Sequence, residues 1–491
     1  MGNRKNKSRS QKRKFIGNRF TERTKPLDVP TVSEQKLKTT SVSFENIPSK
    51  DDKMSGNRIF DVEILRTVFN CLCCPSCLSV NLQLTEDSIF GLSSDLVKKK
   101  LLNVASVVSK NAMIEAADEV RKLKNTSDVA ECGVSVDGTW QRRGHSSLNG
   151  CVAVLSIDTG KVLDLEVMSK WCRNCNTSKS SEKKSKHIKK HQCSCNHQGS
   201  AGSMEPVGAY RLFERSRETR KLQYVEFYGD GDSKSHLAVK DIYGIDSVRK
   251  YECIGHIQKR VGSKLRIIKT KEKGLGGKGK LSDSFIDKIQ NYYGIAIRSN
   301  IGNLEEMQRA VIAAFYHCCS GKSNPMHGQC PLGSESWCTY QRAQSAGKVF
   351  YDKNAGLPKS IINKIKPTYL QLCDQNLLRK CLHGKTQNAN EAFNGCLWNV
   401  VPKEIFVELQ TFSLGSYIAV ITFNKGFKGL LSVLEALDIK IGSYTLRGYA
   451  AIDQTRIEDS KRHSLPSAKV KRKKFELLKR EKLLILKNMK V

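Results

Sequence analysis

The sequence predicts an α/β fold on a mixed β-sheet, and three observations carry the prediction. Two β-favouring runs end on an acid: Val134-Ser135-Val136 leads into Asp137, and Gln223-Tyr224-Val225-Glu226-Phe227-Tyr228-Gly229 leads into Asp230. Two further β-like runs, 147–157 and 161–168, are joined by the hairpin turn Asp158-Thr159-Gly160. Helical periodicity at about 205–220 and near 234–244 separates the later strands, so the order of elements reads βββ-α-β-α-β.

That order is the one of an RNase H-like fold. There the first acid sits mid-sheet, and the strand after the crossover helix runs parallel beside it. Asp230 is then expected close to Asp137. An acid at the end of a buried strand is costly to desolvate unless it is paired or holds a cation. A third acid, Glu391, shares a helical face with Asn394. Two strand-end aspartates and a helical glutamate suit a paired divalent-cation site, Mg²⁺ or Mn²⁺, for phosphoryl chemistry. Taken singly, an acid at a strand end is more often a turn former.

Composition narrows the partners. The 491 residues suffice for two to three domains or one elaborated one, and 39% hydrophobic residues support a core. Eighty-three Lys and Arg against 48 Asp and Glu leave a formal charge of +35, which favours a polyanion, with nucleic acid ahead of membrane. No apolar run approaches the roughly 20 residues that span a bilayer. No h-region follows Met1, and Asn6 stands where a myristoylation pattern has Ser or Thr. Eighteen cysteines in a chain with an intracellular character point to metal ligation before disulfides.

In chain order, residues 1–58 read as a basic disordered arm, with ten Lys or Arg against one Glu between 4 and 25. It serves as an import signal, a DNA-touching arm or a solubilising tail. Residues 59–130 form a small Cys-containing region. Phe60, Val62, Leu65 and Val68 fit a strand or short helix, and Cys71, Cys73, Cys74 and Cys77 give a metal half-site without a second pair. A helix pair is expected over 96–124, with Leu101, Leu102, Val104, Ala105 and Val108 on one face. Residues 131–260 are the first part of the core; they include a helix carrying Val207, Tyr210 and Phe213, and end in a strand at Lys250–Ile254.

Residues 261–380 read as a helical insertion. It opens with a basic, Gly-rich loop, Lys264–Lys280, and continues with helices at 283–293 and 303–319, the second with a stripe of Leu304, Met307, Val311 and Phe315. A Cys/His-rich loop and a helical region at 360–382 follow. Residues 381–450 hold the Glu391 helix and the end of the core. Residues 451–491 are expected to be a disordered basic tail, where Lys471-Arg472-Lys473-Lys474 is a nuclear localisation candidate, a DNA-binding patch or a solvated helix.

Two groups have the composition of structural zinc sites. Cys172-Arg173-Asn174-Cys175, with His191 and Cys193 about 15 residues on, has a usual ligand spacing, and Cys195 or His197 can substitute. His317, His327, Cys330 and Cys338, near Cys318 and Cys319, make a second group without a standard spacing. It is either a zinc that pins the insertion or ordinary buried cysteines. Cys253 and His256 form a lone CxxH, which a packed Cys and a hydrogen-bonded His satisfy equally well.

An ordered set of stretches resembles the Mutator-like transposases, especially the group found in animal genomes. The set comprises Val136-Asp137-Gly138-Thr139-Trp140, Cys172–Cys175 with His191–Cys193, Gly199-Ser200-Ala201-Gly202-Ser203-Met204-Glu205, and Gly229-Asp230-Gly231-Asp232-Ser233. It continues with Cys253–His256 and Lys259-Arg260, His327–Cys330 with Ser336-Trp337-Cys338, and Thr386-Gln387-Asn388 through Glu391, Asn394 and Trp398. The resemblance implies an RNase H-like core with an acidic triad, interrupted by a helical insertion before the Glu, and a CxxH between the second Asp and the Glu. It maps the triad onto Asp137, Asp230 and Glu391, with Asp232 an alternative for the second acid. Expected are metal-dependent cleavage of transposon ends and strand transfer, double-stranded DNA as partner, a nuclear location and a homodimer or larger assembly on DNA. Lys264, Arg266, Lys269, Lys271 and Lys471 to Lys474 are the expected phosphate contacts. A domesticated DNA-binding descendant and a nuclease that cuts without joining are the competing readings.

Overall fold

A computed structural model describes residues 91–475, apart from 142–146, 181–190, 192, 230–233, 278, 351, 353–354, 466, 469–471 and 473–474. The arm at 1–58, Cys71 to Cys77, Asp230, Asp232, Lys471, Lys473 and Lys474 therefore lie outside the described residues.

The described chain begins with α1, Gly91–Leu123, a single 33-residue helix where the sequence reading expected a pair. No Pro or Gly interrupts 92–123, so nothing breaks its hydrogen-bond ladder. Three strands follow, β1 (Ala130–Trp140), β2 (Asn149–Ser156) and β3 (Val162–Ser169). Then come α2 (Arg173–Ser180), α3 (Met204–Glu214), α4 (Ser216–Arg220), β4 (Leu222–Gly229), α5 (Lys234–Val239) and β5 (Arg249–Glu252). The expected helix at 205–220 is thus two helices, and Tyr210 is exposed; the buried face is instead Met204, Gly208, Ala209, Leu212 and Phe213.

One five-stranded mixed sheet has the order β3-β2-β1-β4-β5. β1 pairs antiparallel with β2 and β2 with β3, while β4 lies parallel between β1 and β5. Strict alternation sends Val134, Val136, Val152 and Val154 to the face covered by α3. Cys151, Ala153 and Leu155 face the other way, against Phe393, Leu397, Phe412, Ala419 and Phe423. Both faces are therefore dry, as the near-continuous apolar runs of the strands require. At the sheet's outer strand, buried Asp164 accepts from Arg215 Nε at 2.8 Å and from Arg220 Nη2 at 3.0 Å, so this charge is fully paired.

After β5 come α6 (Ile254–Lys271), α7 (Asp283–Arg298), α8 (Leu304–Cys319), α9 (Thr339–Ser345), α10 (Lys359–Leu370) and α11 (Gln375–Arg379). Their apolar faces, Ile257, Val261, Ile289, Tyr293, Val311, Phe315 and Ile365 among them, close a separate core. Two expectations are corrected here. Cys253 and His256 are not on a strand: Cys253 is the N-cap of α6 and His256 lies in its first turn. Lys264, Arg266, Lys269 and Lys271 belong to that same helix rather than to a loop, because apolar Val261 and Leu265 keep helical spacing through the basic run.

The chain returns to the sheet through α12 (Asn388–Val400) and α13 (Leu409–Lys425), and continues as α14 (Leu431–Ala436) and α15 (Ser443–Ser464). Residues 451–464 are thus helical rather than part of a disordered tail. Asp453 explains it: its buried carboxylate accepts from the backbone N–H groups of Phe427 and Lys428, at 2.8 and 3.2 Å.

Candidate active site and metal centres

Asp137 lies on the central strand, two residues beyond Ser135, whose partner Tyr228 makes the last β1–β4 pair. Past that point the strands part, and their free carbonyls need donors. Gln387, just ahead of α12, supplies them: its Nε2 donates to Val136 O at 3.0 Å and to Tyr228 O at 3.2 Å. The same helix then follows β1 step by step. Asn390 Nδ2 donates to Ser135 O (3.3 Å), Asn394 Nδ2 to Asp137 Oδ2 (2.8 Å) and Trp398 Nε1 to Thr139 Oγ1 (2.9 Å). Spacings of three to four residues put these side chains on one helical stripe, and Glu391 sits beside it in the first turn.

The CxxH meets this helix. Cys253 Sγ accepts from the Gln387 backbone N–H at 3.3 Å. One turn on, His256 Nε2 lies 3.9 Å and Lys259 Nζ 3.5 Å from Glu391 Oε1. Cys253 and His256 therefore set the approach of α6 to the Glu391 helix.

Sequence reasoning gave no role to a further carboxylate, Glu205, in the first turn of α3. Its Oε1 accepts from Ser235 Oγ at 2.8 Å. Gly138 was the available signal, since a glycine inside a strand marks a close approach. A Cβ there would stand 3.0 Å from Glu205 Cγ. Acids thus reach the end of β1 from both faces of the sheet. Burial comes first, then the Glu205 carboxylate; these and Glu391 push the Asp137 carboxyl up to about 7, against the Asn394 hydrogen bond. Burial also raises Glu205, against its bond from Ser235.

Carboxylate oxygens crowded in this way around Asp137, which has no basic partner among the described residues, suit a hard divalent cation. Asp137 and Glu391 are the sequence-predicted residues among those described that could hold it.

Two other groups suit softer metals. The ligand atoms of Cys172, Cys175, His191 and Cys193 lie within 4.8 Å of one another, and so do those of His317, His327, Cys330 and Cys338. In the first, His191 Nε2 is 3.4 Å from both Cys172 Sγ and Cys175 Sγ. The Cys175 backbone N–H, more than any other neighbour, draws the Cys172 thiol down to about 6. In the second, Cys338 Sγ is 3.5 Å from His327 Nδ1, and Cys330 Sγ 3.7 Å from His317 Nδ1. A hydrogen bond from the Cys330 thiol draws the Cys338 thiol down, which favours its thiolate form. His327 turns its other nitrogen to Asp352 Oδ2 at 3.1 Å, the outer carboxylate that orients a ligating imidazole. Thiolate and imidazole sets of four can bind a metal such as zinc. The alternates of the first group are engaged elsewhere: Cys195 Sγ donates to His197 O, and His197 Nε2 is 3.0 Å from Ser203 Oγ.

The expected phosphate contacts are only partly available. Arg266 pairs with Asp287, and Lys269 with Asp283 at 3.2 Å. Lys271 and Arg472 are exposed. Among the described residues, no helix is long and apolar enough to cross a membrane.

Residues 95–338 match the family model described as Mutator-like transposase. No curated protein matches the chain. The matched span takes in Asp137, Glu205, the CxxH and both Cys/His groups, and ends before Glu391.

Proposed function

From the premise that the chain belongs to the Mutator-like transposases, we propose that it cuts transposon ends and joins them to target DNA at the carboxylate site on β1. The observation that carries this reading is Asp137: a carboxylate at the parting of two parallel strands, with Glu391 brought beside it from a helix more than 250 residues away. The sheet order and the helical segment ahead of Glu391 support an RNase H-like core interrupted by an insertion. The second acid is assigned to Asp230, with Asp232 as alternative.

A divalent cation bound there supplies positive charge to the phosphodiester and its attacking and leaving oxygens. Asp137 and Glu391 would hold it through their carboxylates. Asn394 Nδ2 and the Gly138 backbone N–H hold the Asp137 carboxylate in place at the end of β1. The tie of Gln387 to both strands keeps the Glu391 helix at a fixed distance from Asp137 while DNA is engaged. Exposed Lys259 lies on α6, 3.5 Å from Glu391, and Lys271 is exposed at the far end of that helix; both can take phosphates. The Cys/His groups hold zinc and tie their loops to the core. Joining two ends to one target needs two active sites, so the working form is a dimer or larger, in the nucleus.

The test is a product analysis on double-stranded DNA carrying the element's ends and flanks, with Mg²⁺ or Mn²⁺. Hairpinned, nicked or cut ends together with joined products support a transposase. Nicks without joining replace it with a nuclease, and binding without cutting under either metal replaces it with a DNA-binding descendant. Substituting Asp230 and Asp232 separately assigns the second acid.

A further inference from the structure

Among the described residues, Glu205 is the one acid at this site that comes from the α3 face, and three features place it there. Gly138 leaves the gap it fills: a Cβ at 138 would meet Glu205 Cγ at 3.0 Å and Oε2 at 3.2 Å. Ser235 donates to Oε1, which fixes the carboxylate and leaves Oε2 as the oxygen turned to the end of β1. Asp137 stands next to Gly138 on that strand, and the donors that reach it, the Asn394 amide and the Gly138 backbone N–H, are neutral.

The charges do not balance. Among the described residues neither Asp137 nor Glu205 has a basic partner, and the neighbours that bond them, Asn394 and Ser235, are neutral. Two carboxylates brought together out of water repel, and each resists ionisation unless a cation joins them. An acid in the first turn of a helix also favours the helix dipole. That benefit explains a Glu at 205, but it needs neither a glycine in the facing strand nor a serine on a third element.

We propose that Glu205 is a ligand of the divalent cation held at Asp137, so that the cation is gripped from both faces of the sheet, by Glu205 through Oε2 and by Glu391 from α12. Ser235 is then a positioning residue that aims Glu205. The assignment rests on the cation-dependent reading of the site given above.

The experiment is Mn²⁺ binding to the full-length, zinc-loaded protein without DNA, read from the electron paramagnetic resonance signal of free Mn²⁺. Wild type is compared with Glu205→Gln, Ser235→Ala and Asp137→Asn. Glu205→Gln keeps the shape and the acceptor for Ser235, so the fold is preserved while one anionic ligand is lost. Affinity is expected to fall about 10-fold in Glu205→Gln and about 3-fold in Ser235→Ala, because ligand charge sets affinity for hard cations. Loss of binding in Asp137→Asn with unchanged affinity in Glu205→Gln overturns the role of Glu205 and leaves the cation site standing. Absence of Mn²⁺ binding by wild type overturns the cation reading itself, and this assignment with it.

Discussion

Asn394 donates from Nδ2 to Oδ2 of Asp137 at 2.8 Å, across 257 residues of sequence. The bond ties a helix that follows the insertion to the strand that precedes it, and it restricts the one carboxylate on which the site is centred. Asn394→Ala should therefore lower cleavage more than it lowers stability. The expected stability loss is about 1.5–3 kcal/mol for a hydrogen bond to a charged group, read as a shift in urea midpoint. A variant with full cleavage activity would show that Asp137 needs no such restraint.

Gln387 should behave in the opposite way. Its side chain satisfies two carbonyls, Val136 O and Tyr228 O, where β1 and β4 part. Gln387→Ala strands both, at about 1–3 kcal/mol each, and should lower the unfolding midpoint clearly. A midpoint within error of wild type would mean that water or a rearranged side chain replaces it.

Asp137 makes stability pH-dependent in magnesium-free buffer. Its folded carboxyl titrates at about 7, whereas an unfolded aspartate titrates near 3.9. The folded state thus binds more protons between about pH 4 and 7, and stability is lost as pH rises through that window. The full span corresponds to at most about 4 kcal/mol, reduced by water at a half-buried group. Urea unfolding at pH 5 and pH 8 should show the loss in wild type and a smaller one in Asp137→Asn. Equal slopes in the two proteins contradict it.

Zinc content tests the Cys/His groups directly. Cys175→Ser and Cys330→Ser should each remove about one zinc per chain, measured by elemental analysis, since four soft ligands make a closed structural site. Chelation should lower the unfolding temperature, because binding energy at such sites is folding energy. Unchanged metal content in either variant removes that group as a zinc centre.

The strands and the grouping of the two Cys/His sets were legible because their signals are local. Alternation over Val134 to Asp137 and over Ser147 to Ile157 is read within one run, and Cys172 to Cys193 and His327 to Cys338 lie close in sequence. Glu205 was not assigned, because its meaning depends on Gly138 and Ser235, which lie on two other elements. The basic run at Lys264 suggested a loop by charge and by the glycines that follow, yet apolar Val261 and Leu265 pack it as helix and Asp283 and Asp287 take up two of its charges. The same long-range dependence hid the helix at 451–464: Asp453 looks like any exposed acid until Phe427 and Lys428 present their N–H groups to it.

The most direct test of the account is single-turnover cleavage of end-bearing double-stranded DNA with Mg²⁺, comparing wild type with Asp137→Asn and Glu391→Gln. Both substitutions keep side-chain size, and Asp137→Asn also keeps an oxygen to accept from Asn394, so the charge is the main change. The account predicts metal-dependent cleavage by wild type and a loss of at least about 100-fold in each variant, as expected when a carboxylate that holds the reacting cation is neutralised. Cleavage by both variants at the wild-type rate would place the chemistry elsewhere in the chain.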